Sequence, residues 1–258
     1  IQCRRCVSKC PAGAVTWGAQ QKWYGFPNKP FDVKFIKPTD IDKLGSLVSD
    51  ATAAVIVEPI QGVAGAVDMP KEFLEALRVR CTENGSLLIF DEVQCGVGRT
   101  GHPFAANLYG VTPDIITTAK ALGAGFPVSA ILVGNHIVPY LKVDSLGTTF
   151  GGGPMACAVV EAVIDIIEDE NLLENVRERS QQIRDTCIVG PVVGTQGAGL
   201  LLGLRCSRPA KEVQAELLEG DILTGTSGDP HVLRILAPFV LGSEHVELLR
   251  EALVQLAR

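Results

Sequence analysis

Short apolar runs alternate along the chain with longer stretches of helical period. The apolar runs occupy residues 53–60, 86–93, 114–119 and 127–134. Between the first two, residues 70–85 carry apolar side chains at helical spacing, with Pro70 at the start and Gly85 just past the end. Strands separated by helices are typical of βαβ units. The pattern therefore predicts an α/β protein with a mostly parallel sheet flanked by helices.

The pattern changes towards the carboxyl end of the chain. Two consecutive helices are predicted at 154–172 and 172–187. Beyond Pro191 the predicted strands and helices are more closely spaced. They lie at 199–206 (strand), 209–220 (helix), 231–238 (strand) and 243–258 (helix). We therefore expect a Cys-rich segment over 1–15, part of a large domain over 16–190, and a small C-terminal α/β domain over 191–258.

Composition excludes several classes of function. The chain has 258 residues, 47% of them hydrophobic, and a mean hydropathy of +0.24, which is enough for a large core. A net charge of −6 argues against a nucleic-acid partner. No stretch reaches the roughly 18 to 20 uninterrupted apolar residues of a membrane span. The chain starts at Ile1 without a signal-peptide pattern, so we expect a fragment of a longer cytoplasmic protein.

Three polar side chains stand where predicted strands end. Glu58, Asp91 and Lys120 each follow an apolar run. Ligands bind at the carboxyl ends of strands in open α/β sheets. The alternative interpretations are a turn or cap residue for the acids and a lysine whose stem packs while its ammonium reaches water. Three such residues in successive strands favour a site.

The pair Asp91 and Lys120 suits pyridoxal phosphate. That cofactor needs an amine to bond with its aldehyde and a carboxylate beside its ring nitrogen. A carboxylate in a poorly solvated site keeps the ring nitrogen protonated, and desolvation lowers the pKa of a lysine so that the amine is free to react. The same amine can move a proton to and from the substrate Cα. These requirements predict apolar surroundings for Lys120.

Five ordered stretches carry a more specific resemblance. They are 57-VEPIQG-62, 89-IFDEVQCGVGRTG-101, 117-TTAKALGAGFPVSA-130, 147-GTTFGGGPMACA-158 and 232-VLRILAPFVL-241. With these motifs the chain resembles the class III (ω-type) PLP-dependent aminotransferases from about residue 16 to its end. Within that family it is most similar to the acetylornithine and ornithine aminotransferases. The resemblance implies the PLP-dependent transferase fold type I with a small C-terminal domain.

The resemblance also implies a role for each matching residue. Lys120 would bond to the cofactor aldehyde, Asp91 would pair with the pyridine nitrogen, Val93 would pack on the ring face, and Gln94 would bind near the phenolic oxygen. Thr149 would donate to the cofactor phosphate of the neighbouring subunit in a homodimer.

Further residues match the family motifs around this site. Arg234 would hold a substrate carboxylate through its guanidinium fork, the alternative being a surface arginine at a strand edge. Glu58, Gln61 and Arg99 would support the site, either near the cofactor or in structural roles such as an ion pair at a strand end. No metal ligands are expected.

The implied reaction is transfer of an amino group from an ω-amine such as that of N-acetylornithine to 2-oxoglutarate. Ornithine or 4-aminobutyrate as donor is an alternative within the same chemistry. A chain that dimerises without catalysis is another alternative, since the family's phosphate-binding loop lies upstream of the matching motifs. Val63 replaces the glutamate usual after IQG in ornithine-type enzymes, and Gly153 replaces an asparagine.

A cysteine run stands apart from these motifs. Cys3, Cys6 and Cys10 are spaced like three cysteines of a ferredoxin motif, with Pro11 following. An iron–sulfur electron-transfer segment is therefore an alternative for residues 1–15, beside a chance thiol cluster or a gene-junction artefact. The remaining cysteines are scattered singly, as is typical of reduced thiols.

Overall fold

The structure, a computed structural model, describes residues 34–143 and 147–256. The cysteine run therefore lies outside the described residues, and its iron–sulfur interpretation stays a prediction. The strands are β1 Ala54–Val57, β2 Ile60–Gln61, β3 Val67–Asp68, β4 Leu87–Asp91, β5 Ile115–Thr118, β6 Ala130–Val133, β7 Val192–Ala198, β8 Leu201–Cys206 and β9 Val232–Ile235. The helices are α1 Leu44–Leu47, α2 Lys71–Asn84, α3 Ala105–Tyr109, α4 Pro154–Asp169, α5 Leu172–Thr186, α6 Ala210–Glu219 and α7 Ser243–Gln255. Short 3₁₀ helices lie at Ile41–Lys43, Lys120–Gly123 and Val138–Tyr140.

The first sheet has the order β1-β4-β5-β6. Strands β1, β4 and β5 pair in parallel, with Val57 opposite Phe90 and Asp91 opposite Thr117. All four strands fall within the predicted apolar runs, and the mostly parallel sheet is confirmed. Strand β6 pairs antiparallel with β5, a direction that hydrophobic patterning does not specify.

Helix α2 shows why the sequence folds this way locally. Pro70 occupies its N-cap and Gly85 its C-cap in the left-handed conformation, as predicted. The buried face packs against the first sheet and consists of Phe73, Leu74, Leu77 and Cys81, which meet Leu88 and Phe90 of β4. Each fully buried side chain of this size contributes about 1.5–3 kcal/mol. The helix thus covers the face of β4.

The second sheet is antiparallel, with the order β7-β8-β9. Helices α5, α6 and α7 cover it around Leu202, Leu204 and Leu233, which are fully buried. Strands β8 and β9 and helices α6 and α7 match the predicted elements. The sequence pattern did not predict β7, because the glycines in VVGTQGA break its alternation. The domain boundary near 188–191 stays a prediction.

A small hairpin links the two sheets. Its strands β2 and β3 pair antiparallel. Ile60 and Ala66 of this hairpin are buried against Cys95, Ala105 and Leu201. The hairpin therefore contacts the loop after β4 on one side and β8 of the second sheet on the other.

Helix α4 confirms the long apolar helix predicted at 154–172, but none of its residues is buried. Met155 is 70% exposed, and the nearby Phe150 is 90% exposed. Exposed apolar groups of this size on a helix are typical of a surface that another polypeptide covers. Among the described residues, no helix is both long and apolar enough to cross a membrane.

Asp114, just before β5, links β4 and α2 through hydrogen bonds. Its Oδ2 accepts hydrogen bonds from the Leu88 backbone N–H at 2.6 Å and from Arg78 Nη1 at 2.8 Å. Its Oδ1 lies 3.0 Å from Nε2 of His136. Burial alone would raise the pKa of Asp114, but the Leu88 and Arg78 hydrogen bonds bring it below its ordinary value of 3.8. This aspartate is structural.

Replacing Asp114 is expected to destabilise the fold. Asp114→Ala leaves the Leu88 N–H and the Arg78 guanidinium without their acceptor, and should lower the free energy of unfolding by about 2–3 kcal/mol. Because the folded-state pKa is lowered, this contribution is present above the unfolded-state pKa and is lost as the pH falls through the folded-state value. Urea unfolding between neutral pH and pH about 3 measures both effects. Exposed Asp50→Ala is the control, and equal stability of the two variants would contradict the assignment.

Candidate active site

The three strand-end residues meet at one edge of the first sheet. Glu58 follows β1, Asp91 ends β4, and Lys120 lies two residues past β5. Because these strands are parallel neighbours, their carboxyl ends share an edge. The charges are close enough to act on one another: both carboxylates favour the charged form of Lys120, and Asp91 disfavours the charged form of Glu58. The structure thus brings together the residues that the sequence singled out.

Lys120 occupies an unusual backbone conformation. Its φ is 47°, and Ala124 at the end of the same short helix has a φ of 43°. Residues other than glycine rarely adopt such backbone angles, and backbone strain of this kind is common at functional sites. The residue as a whole is exposed, so the apolar surroundings predicted for it are only partial. Partial burial nevertheless lowers the pKa of Lys120, and Arg234 lowers it further, against the opposing effect of Glu58 and Asp91.

Asp91 is held by one of its two oxygens. Its Oδ1 accepts a hydrogen bond from the Val93 backbone N–H at 3.1 Å and another from Thr117 Oγ1 at 3.2 Å. Oδ2 has no hydrogen bond from the described residues and is available to a ligand. Thr117 lies within the quoted TTAK motif, but sequence reasoning did not assign it a role. Its position opposite Asp91 follows from the register of β4 and β5.

Glu58 is half-buried beside this pair. Burial raises the pKa of its carboxyl, and the neighbouring Asp91 raises it further. The Gly62 backbone N–H and Lys120 act in the opposite direction. Glu58 therefore belongs to the charge cluster around the lysine.

Gln94, in the loop after β4, closely contacts Gly62 in the turn of the neighbouring hairpin. A Cβ at Gly62 would lie 1.8 Å from Oε1 of Gln94, so any larger residue there would displace the end of that side chain. Oε1 of Gln94 is buried and has no hydrogen-bond partner among the described residues. A buried amide oxygen without a partner is costly, and its presence beside Asp91 and Val93 indicates a site for a polar ligand. Val93 itself is half-buried.

Arg234 reaches the same cluster from the second sheet. It is half-buried on β9. Its Nε donates to the Thr226 carbonyl at 2.7 Å, and its Nη1 contacts the Gly62 carbonyl at 3.4 Å. These contacts fix part of the guanidinium and leave Nη2 for a carboxylate. Strand β9 is an outer strand of its sheet, and the role of Arg234 as a carboxylate-binding residue stays a prediction.

Three further predicted residues show no hydrogen bond to this cluster among the described residues. Gln61 and Thr149 are exposed. Arg99 Nη1 donates to the backbone carbonyls of Leu200 and Ala237, and its guanidinium lies over the ring of Phe239, 4.5 Å from the centroid. Burial lowers the pKa of Arg99 to about 10. Arg99 thus ties the loop after β4 to the second sheet.

Glu92 is a residue that sequence reasoning missed. Its carboxylate is fully buried and accepts hydrogen bonds from the backbone N–H groups of Ala105 and Ala106, the latter at 2.9 Å. Burial raises the pKa of Glu92, while these two hydrogen bonds lower it. The contacts close the loop between Asp91 and α3, and so fix the backbone that carries Val93 and Gln94. The available signal in the sequence was that Glu92 is a second acid directly after Asp91.

Comparisons with known proteins identify the family of this chain. The model of the class III aminotransferase family matches residues 19–256. The chain therefore belongs to the class III aminotransferase family. Acetylornithine/succinyldiaminopimelate aminotransferase of Yersinia pestis is 38% identical over 244 residues, which cover 90% of this chain and 60% of that protein. Acetylornithine aminotransferase of Clostridium acetobutylicum is 40% identical over 221 residues, covering 83% and 57%.

A solved structure shows the same fold. The ornithine aminotransferase of Toxoplasma gondii, described with partial occupancy of PLP at its active site, has a TM-score of 0.82 and 29% identity, and the match covers 92% of this chain and 58% of that one. The predicted fold class, the PLP-dependent transferase fold type I, is confirmed. The chain spans about three-fifths of the length of the curated relatives it matches.

The position of Arg99 predicts a purely structural effect of its replacement. Arg99→Leu removes two hydrogen bonds and one cation–π contact, and should lower the free energy of unfolding by about 2–3 kcal/mol. The yield of a covalent adduct between the folded protein and pyridoxal phosphate should stay unchanged. The control is Arg250→Leu, which removes a surface pair with Glu247 on α7. Normal stability with lost adduct would place Arg99 at the cofactor instead.

Proposed function

We propose that this chain forms part of a PLP-dependent transaminase that moves an amino group from an ω-amine donor, of the N-acetylornithine type, to 2-oxoglutarate. The observation that carries the proposal is the cluster of Glu58, Asp91 and Lys120 at adjacent strand ends, with Arg234 beside them. An amine with a lowered pKa, an open carboxylate oxygen and a carboxylate-binding guanidinium are the groups that this reaction requires.

The residues present fit pyridoxal phosphate. When bound, this cofactor withdraws electrons from the substrate Cα. Lys120 would hold its aldehyde, Oδ2 of Asp91 would face its ring nitrogen, Val93 would contact the ring, and the buried amide of Gln94 would gain the partner that it lacks.

Each of these side chains has a task of its own in the transfer. Val93 N–H and Thr117 Oγ1 orient Asp91, so that its charge favours a proton on the ring nitrogen. Nζ of Lys120 would take the proton from the substrate Cα as a general base and, once protonated, would give a proton back to the cofactor carbon as a general acid. The lowered pKa of Lys120 keeps a larger fraction of the amine unprotonated for this work.

Substrate choice rests on Arg234. Its Nη2 would bind a carboxylate of 2-oxoglutarate, the amino acceptor, or of glutamate, the product that 2-oxoglutarate becomes. The names of the relatives support an acetylated ornithine as the ω-amine donor. Ornithine is the second candidate, since an ornithine aminotransferase has the same fold.

We also propose a homodimer. Thr149 is exposed, as a residue that serves the cofactor of a neighbouring subunit must be before assembly. The apolar surface of α4 and Phe150 close by supports a polypeptide partner in this region. A cytoplasmic location is consistent with five free thiols among the described residues, at Cys81, Cys95, Cys157, Cys187 and Cys206.

The first test is capture of the cofactor by Lys120. The chain should form an adduct with pyridoxal phosphate that borohydride reduction fixes, and mass spectrometry should place it on Lys120. Lys120→Ala should lose the adduct completely, whereas exposed Lys211→Ala should keep it. Excess glutamate before reduction should release the cofactor from the lysine. An adduct of full yield in Lys120→Ala would refute the proposal.

The charges around Lys120 predict opposite shifts in its pH profile. Glu58 favours the charged lysine, so Glu58→Gln should lower the pKa of Lys120 and move adduct formation to lower pH. Arg234 disfavours the charged lysine, so Arg234→Gln should move adduct formation to higher pH. The initial rate of adduct formation across pH 6–10 or so measures both shifts. If both variants moved the pH profile in the same direction, the opposite electrostatic effects assigned to Glu58 and Arg234 would be wrong.

A further inference from the structure

A row of three residues crosses the second sheet in register. Gln196 on β7 lies opposite Gly203 on β8, and Gly203 lies opposite Arg234 on β9. Arg234 contacts the hairpin turn through Gly62, and Gln196 contacts the same turn from the other end of the row.

The turn between β2 and β3 docks on this row. Nε2 of Gln196 donates to the Gly65 carbonyl at 2.8 Å, and Nη1 of Arg234 contacts the Gly62 carbonyl. Between them Gly203 provides the space, since a Cβ there would lie 2.3 Å from the Gly65 oxygen. The row therefore offers two donors on either side of a notch.

A second tie holds the hairpin beside Gln196. The backbone N–H of Gly197 donates to Oδ2 of Asp68 at 2.6 Å. Oδ1 of the same aspartate accepts from the Tyr109 hydroxyl at 3.2 Å. The hairpin is thus fixed to residues 196 and 197 at both its turn and its second strand.

The position of this turn affects three residues of the site. Gly62 directs its N–H to Glu58, its carbonyl to Arg234 and its α-carbon to the amide of Gln94. A shift of the turn would therefore disturb the lysine's neighbouring carboxylate, the carboxylate-binding guanidinium and the amide beside Val93 together.

We propose that Gln196 is a positioning residue of the active site, which holds the 62–65 turn and through it sets the geometry of Arg234. The inference rests on the proposed function for its effect on substrate binding. The structural part, the fixing of Arg234 by Gln196, does not depend on whether the chain turns substrate over.

The test compares Gln196→Ala with Gln196→Glu. The glutamate has the same size but, ionised at neutral pH, has no proton to donate to the Gly65 carbonyl. In the cofactor-free protein, NMR measures exchange of the Arg234 guanidinium protons with water, with signals assigned by Arg234→Lys. Both variants should accelerate this exchange roughly two- to tenfold, the factor that one hydrogen bond supplies. The matched control is Gln182→Ala, which removes a glutamine hydrogen bond to Ser243 between α5 and α7.

Kinetics provide the second measurement. With pyridoxal phosphate bound, both Gln196 variants should raise KM for glutamate by a similar factor while kcat stays near the parent value, because Arg234 binds ground state and transition state alike. Faster exchange in a chain without turnover would support the positioning role and refute the proposed function. Unchanged exchange would overturn the positioning role even in an active enzyme. Parent-like exchange in Gln196→Glu alone would also overturn it, since side-chain volume rather than the donor would then hold the turn.

Discussion

The register of three parallel strands is the constraint on which the site depends. Val57 lies opposite Phe90 and Asp91 opposite Thr117, so the ends of β1, β4 and β5 arrive at the same edge. A slip of one residue would turn every side chain of a strand to the other face. It would also remove the Thr117 hydroxyl from Asp91. Packing of α2 on Leu88 and Phe90 opposes such a slip, and core burial thereby fixes the geometry of the strand ends.

The electrostatics of the site depend on this geometry. Two carboxylates and one guanidinium surround Lys120, with partial burial acting in the same direction as the guanidinium. The net effect lowers the pKa of the lysine, while the carboxylates limit how far it falls. A lysine with only apolar neighbours would have a still lower pKa, but it would have no carboxylate beside it. The arrangement therefore places an amine with a lowered pKa next to a carboxylate.

Local patterns in the sequence predicted the strands, the main helices and the polar residues at strand ends, because each depends on neighbours in the chain. The direction of β6 and the existence of β7 depend on pairing partners and were not predicted. The same holds for roles carried by distant contacts. Arg99 binds the carbonyl of Leu200, 101 residues away, and Gln196 binds Gly65, 131 residues away. Motif resemblance located Arg99 but not its structural task.

The hairpin explains how two sheets make one site. Arg234 is separated from Gly62 by 172 residues, yet its guanidinium contacts that carbonyl. Ile60 and Ala66 anchor the hairpin by burial against Cys95 and Leu201, a contact that resists displacement but tolerates small rotations. The hydrogen bonds at the turn set the orientation of the hairpin, because hydrogen bonds are directional and burial is not. Apolar packing thus brings the sheets together, and the polar contacts of the turn set the orientation of Arg234 relative to the hairpin.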